Sequence, residues 1–186
     1  MALVSSNMLP LGHELPSFRL DDTVSRIELE STTLHSAPAI VIAFICNHCP
    51  YVSHVSDGFT AFANDMLDRG VAVVAINANS EKTHPMDGPE HMRGLAKELG
   101  WKFPYCFDET QEVAKAFDAA CTPDWYVFDG AQRLVYRGQF DDSRPGNDLP
   151  VTGRDVRAAV DAVLGGRRVS AEQTPSIGCN IKWNVT

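Results

Sequence analysis

Two uninterrupted apolar runs organise the chain. Ala39-Ile-Val-Ile-Ala-Phe-Ile45 and Val71-Ala-Val-Val-Ala-Ile76 have strand length and lack polar alternation, which predicts central strands covered on both faces. Pro38 suits the entry to the first. Between them, Phe59, Phe62, Ala63, Met66 and Leu67 recur at helical spacing and Gly70 ends the run. Helices are also predicted over Glu90 to Leu99, closed by Gly100, over Glu109 to Ala119, and over Val156 to Leu164, ended by Gly165-Gly166.

Shorter segments complete the pattern. Phe18 to Leu29 reads as two short strands around a polar turn at Asp21-Asp22. Phe103-Pro-Tyr-Cys-Phe107 reads as a buried strand. Trp125 to Phe128 and Leu134 to Arg137 flank an Asp129-Gly130 turn signal, hence a hairpin. Residues 77–90 are polar, carry Pro85, Gly88 and Pro89, and form a long loop of the kind that often serves function. The order strand, helix, strand, helix, helix, hairpin, helix implies early parallel pairs and a late antiparallel one. The expected fold is therefore α/β, a mixed central sheet flanked by helices. The expected organisation is an irregular arm over 1–17, one domain over 18–166 and a C-terminal tail over 167–186 that has little pattern but packs on the domain, where folding over the CxxC would present Cys179 as a further thiol.

Composition narrows the function classes. With 186 residues, 44% hydrophobic and 22% charged, the chain has enough material for one sizeable core. Sixteen basic against 24 acidic side chains, a formal charge of -8, weigh against nucleic acid or an anionic membrane as partner. The first fifteen residues lack a basic region and an apolar stretch of secretory type, and no apolar run approaches the ~20 residues that span a bilayer. The expected setting is the cytoplasm, where neighbouring cysteines serve catalysis or metal more often than structural bridges.

Cys46-Asn47-His48-Cys49 lies where the first apolar strand gives way to a helix. Unpaired N–H groups and the helix dipole stabilise a thiolate there, and the thiolate is the reactive form. Two intervening residues let both sulfurs share one turn. His48 adds a cation beside them, favouring the reduced form and hence a more oxidising disulfide. Cys46 is the expected exposed attacking thiol and Cys49 the more buried resolving one. The alternatives are half of a structural zinc site, which lacks a second CxxC at suitable spacing, and two inert core cysteines. Thr122-Pro123, just before the strand at Trp125, is either an ordinary proline entering a strand or the edge of a substrate groove.

Three segments together resemble a bacterial group of thioredoxin-like redoxin proteins: Phe44-Ile-Cys-Asn-His-Cys-Pro-Tyr-Val52, Cys121-Thr-Pro-Asp124 and Thr174-Pro-Ser-Ile-Gly-Cys-Asn-Ile-Lys-Trp183. These CNHC-type proteins are described as thiol–disulfide isomerase or thioredoxin-like, within the alkyl hydroperoxide reductase/thiol-specific antioxidant superfamily. The resemblance implies a thioredoxin-like fold with an N-terminal β-hairpin extension, Cys46 and Cys49 as the redox pair, and Pro123 as a cis-proline. It also implies that the backbone of Thr122 is free to pair with an extended peptide. Departures are Ile45 in place of a tryptophan, Asn47-His48 in place of Gly-Pro, and Ile40 where a buried acid is usual. Ala43 stands where peroxiredoxins carry a hydroxyl.

The expected activity is thiol–disulfide exchange, serving redox homeostasis or antioxidant defence. The alternatives are a thiol peroxidase and a metal-binding module using Cys46, Cys49 and Cys179. The expected partners are a protein or small-molecule disulfide or thiol and an upstream thiol reductant, with no cofactor and no resident metal. Cys121 and Cys179 are candidate additional thiols, each with a packing alternative, and Cys106 reads as core. His54, His84 and His91 read as surface histidines, and Asp57, Glu81, Asp87 and Asp124 are candidates for the missing proton acceptor.

Overall fold

In the computed structural model, residues 3–185 are described. The first apolar run becomes strand β4 (Ala39–Phe44), buried at every position. Its residues divide by parity, as the period of a strand requires. Val41 and Ala43 face a core with helices α1 (Pro50–Asp68), α2 (Pro89–Glu98) and α4 (Arg154–Leu164). Ile40, Ile42 and Phe44 face a second core containing Val113, Ala114 and Phe117 around helix α3 (Glu112–Ala116). Each fully buried branched or aromatic side chain contributes roughly 1.5–3 kcal/mol.

β4 is the hub of a seven-stranded sheet in the order β3-β2-β6-β5-β4-β8-β9. It runs parallel to β5 (Ala72–Asn77), which runs parallel to β6 (Tyr105–Phe107). On its other side it pairs antiparallel with β8 (Asp124–Asp129), followed by β9 (Leu134–Gly138). The expected N-terminal hairpin is present as β2 (Arg19–Asp22) and β3 (Glu28–Glu30), attached to β6. The turn is not at Asp21-Asp22, which pair with β6. It follows them, with Asp22 Oδ1 and Oδ2 accepting the N–H groups of Val24 and Ser25 at 2.9 and 3.0 Å.

The largest departure is at the two ends of the chain. The arm and tail, expected to be irregular, each supply a strand. β1 (Leu3–Ser5) and β10 (Ile177–Asn180) form a separate three-stranded sheet with β7 (Cys121–Thr122), in the order β1-β10-β7. Period-based reading missed both because three- and four-residue strands carry too few positions to show alternation. The helix expected over Glu109 to Ala119 shrinks to α3. Gln111 takes a left-handed φ of 64°, and its side chain donates to the carbonyls of Ala78 at 2.6 Å and Lys182 at 2.9 Å. Those tertiary bonds outweigh local helix propensity.

A buried three-thiol candidate active site

β4 delivers the chain to Ile45, whose N–H still bonds Ile76 O at 2.9 Å. Cys46, Asn47 and His48 then form a loop, and Cys49 is the N-cap of α1, with Pro50 in the first helical position. Proline suits that position, since its missing N–H would have no intrahelical partner. The helix therefore begins after the CNHC segment, and Cys49, not Cys46, holds the N-terminal position. The expected exposure of Cys46 is also overturned: both sulfur-bearing residues are 0% exposed.

Thr122 meets both cysteines. Its Oγ1 lies 3.3 Å from Cys46 Sγ, and its carbonyl oxygen accepts from Cys49 Sγ at 3.3 Å. The Thr122–Pro123 peptide is cis. Cys49 Sγ also lies 2.9 Å from Cys179 Sγ. As a thiol Cys49 donates to Thr122 O; when the reduced cluster ionises, electrostatics favour the thiolate at Cys49 over Cys46, at the expense of that bond. Hydrogen bonding from Cys46 lowers the Cys49 pKa most, and contacts from the Cys179 thiol and the backbone N–H groups of Val52 and Cys179 lower it further against the cost of burial. Cys46 moves the other way, raised by that same shared proton, by burial and by the charge of Asp87, while Thr122 lowers it. Burial and the neighbouring Cys49 raise Cys179 to about 12.

Asp87 anchors the loop. It is fully buried, and its Oδ1 accepts the N–H of Asn47 at 2.8 Å. Its Oδ2 accepts Asn79 Nδ2 at 2.9 Å and contacts His48 Nδ1. Asn77 Nδ2 donates to the Asp87 carbonyl at 3.0 Å, and Asn47 is clamped further by Met86 O and by the Tyr105 hydroxyl. The chain of bonds reaches the tail, where Lys182 N–H donates to Asn79 Oδ1 at 2.8 Å. His48 stacks on His84 at 4.8 Å between centroids. One ligand atom each from Cys46, His48 and Asp87 lies within 4.8 Å of the others, a donor set with the chemistry to hold a thiophilic cation. In the sequence this network shows as the polar loop 77–90 and as Asp87 among four candidate acids.

The backbone of Thr122 is not free, contrary to expectation. Cys179 pairs with Thr122 and Asn180 with Cys121, so the protein's own tail occupies that edge. Gly178 makes the approach possible, because a Cβ there would collide with the Thr122 carbonyl. Cys121 has its Sγ 3.8 Å from Pro123 O, and burial beside Asp124 pushes its thiol far up. Cys106 lies in the second core, also raised by burial. His54 bonds Ser143 Oγ at 2.7 Å, and His91, Asp57 and Glu81 are exposed. Asp124 is fully buried, donated to by the Tyr126 hydroxyl at 2.9 Å, and raised to about 8 chiefly by burial.

The parallel β4-β5-β6 core, the antiparallel β8-β9 pair and the cis-proline beside the CxxC define a thioredoxin-like α/β fold. The Redoxin family model matches residues 10–155, and the chain belongs to that family. It is similar over its whole length to an uncharacterized conserved protein from Geobacillus kaustophilus, with 53% identity and a TM-score of 0.98, covering 98% of that chain. A hypothetical protein from Sinorhizobium meliloti 1021 is 46% identical with a TM-score of 0.95, over 98% of this chain and 99% of that one. A putative thiol:disulfide interchange protein DsbE from Chlorobium tepidum shares the fold at 15% identity and a TM-score of 0.63, over 84% of this chain and 99% of that one. No curated protein matches the chain. Family and fold together support a thiol redox function.

Proposed function

We propose that the protein is a thiol–disulfide oxidoreductase whose redox pair is Cys46 and Cys49. The observation that carries this reading is two buried sulfurs of one CxxC that both meet Thr122 at 3.3 Å, beside the cis-Pro123. When the reduced pair ionises, Cys49 is the sulfur that gives up its proton and its bond to Thr122 O, and Cys46 keeps its own. Cys49 thus stands as the base for Cys46, the part left open by Ile40 in the strand below. Cys46 is the attacking thiol because its cover is a loop whose Asn47 and His48 are only half-buried, whereas Cys49 is walled by Thr122 O and Cys179.

When that loop parts, Cys46 Sγ attacks a substrate disulfide as its proton passes to Cys49. The substrate S–S bond breaks, and its first thiolate leaves and takes a proton from solvent. Cys49 then loses its proton and attacks Cys46 Sγ, expelling the second substrate thiol and closing the Cys46–Cys49 disulfide. An upstream thiol reductant returns the pair to the dithiol. Reduction of a disulfide-bonded protein such as insulin tests the reading. Cys46→Ser and Cys49→Ser are each expected to abolish turnover, and full activity in Cys46→Ser would overturn it.

A second reading rests on one contact. Thr122 Oγ1 brings to Cys46 the hydroxyl that Ala43 lacks, so the site has one element of a thiol peroxidase. Peroxide consumption with a thiol reductant, lost in both Cys46→Ser and Thr122→Val, is the expected result under that reading.

A further inference from the structure

The tail strand does more than cover an edge. β10 is held on one side by β1 and on the other by β7, with Cys179 in register with Thr122. Beyond it, Ile181 N–H bonds Ala120 O at 3.0 Å, and Lys182 N–H joins the Asn79–Asp87 network that also holds Asn47. The strand is thus fastened to the same residues that position the dithiol. Gly178 removes the side chain that would keep it away. The outcome is a third sulfur 2.9 Å from Cys49, on the edge that a substrate peptide is expected to pair with.

We propose that Cys179 is an internal exchange thiol: the disulfide formed between Cys46 and Cys49 passes to Cys49 and Cys179, returning Cys46 to the thiol state. The proposal rests on the thiol–disulfide reading above. In this step Cys179, as thiolate, attacks Cys49 Sγ. The Cys49–Cys179 bond forms and the Cys46–Cys49 bond breaks. The electron pair leaves on Cys46, which takes up the proton that Cys179 gave up. No electrons enter or leave, since the oxidising equivalent is the one already taken from the substrate disulfide. With Cys46–Cys49 closed, the charge on Cys49 is gone, and with it one cause that holds Cys179 protonated. Lys182 acts on Cys179 in the opposite sense, favouring its thiolate. The exchange returns Cys46 to the thiol state and leaves the disulfide between two buried residues, Cys49 and Cys179. Cys121 does not share this role, because its thiol is directed at the Pro123 carbonyl.

The test equilibrates the full-length protein in glutathione redox buffers, quenches with acid, alkylates and maps bridged peptides. In Cys46→Ser the expected product is a Cys49–Cys179 disulfide with loss of Cys179 alkylation. In Cys46→Ser/Cys179→Ala the expected product is a glutathione adduct that persists on Cys49. A Cys46→Ser protein that keeps glutathione on Cys49 with Cys179 fully alkylated would overturn the proposal. The wild type provides the measurement that does not depend on a variant's folding: its oxidised form must yield the Cys49–Cys179 peptide, and absence of that peptide overturns the exchange. If Cys46–Cys49 is mapped and Cys49–Cys179 is not, the exchange falls and the dithiol reading stands. If neither bridge forms, both fall.

Discussion

Asp87 Oδ1 accepts the backbone N–H of Asn47 at 2.8 Å, tying the loop between the two cysteines to a buried carboxylate forty positions downstream. The same carboxylate holds Asn79 and faces His48, so the CNHC loop, the polar loop and the tail share one anchor.

Asp87→Asn is expected to remove that anchor. The amide presents an N–H₂ to one of two donors, Asn47 N–H and Asn79 Nδ2. A buried donor left unpaired costs roughly 1–3 kcal/mol, which chemical denaturation will read. The pKa of Cys46 should fall in the variant, because the Asp87 charge raises it. Thiolate absorbance against pH checks that direction.

Thr122→Val keeps shape and the carbonyl to Cys49 but deletes the hydroxyl at Cys46. That hydroxyl favours the Cys46 thiolate, so the pKa of Cys46 should rise and its alkylation at a fixed pH should slow. A hydrogen bond to a charged group is worth about 1.5–3 kcal/mol, so a slowing of about tenfold or more is expected. An unchanged pH profile would separate Thr122 from the thiol chemistry.

Gly178→Ala forces a methyl group into the Thr122 carbonyl, which is backbone and cannot swing aside. β10 must shift, at a cost of about 1–3 kcal/mol. The expected signs are a lower Tm and faster proteolysis within residues 170–185.

Asp124 predicts a pH dependence. Its folded pKa of about 8 lies above the ordinary carboxylate value of 3.8, so the native state holds a proton that the unfolded state releases. The resulting stabilisation is complete below pH about 4 and is lost as pH rises towards 8. Asp124→Asn removes this slope. The stability of the variant relative to wild type should therefore grow between pH 4 and 8, by about 1 kcal/mol or more, since a tenfold difference in proton affinity between the folded and unfolded chain corresponds to about 1.4 kcal/mol. Parallel urea titrations across that range provide the measurement.

The chain pattern alone determined the central strands, the positions of α1, α2 and α4, the late hairpin and the local CNHC motif. Long apolar runs and helical spacing are local properties, and a strand buried on both faces has little choice of residue. Tertiary structure alone decided which groups act on the thiols. Asp87 reaches Asn47 through a loop, Cys179 reaches Cys49 across 130 positions, and the tail closes the Thr122 edge that local reading left open. It also decided which sulfur carries the charge. Sequence position pointed to Cys46, but the helix begins one turn later than the motif suggests, and the donors converge on Cys49. Such contacts are made by backbone register and burial, which short, weakly patterned segments such as Leu3–Ser5 and Ile177–Asn180 acquire only when the fold brings them together.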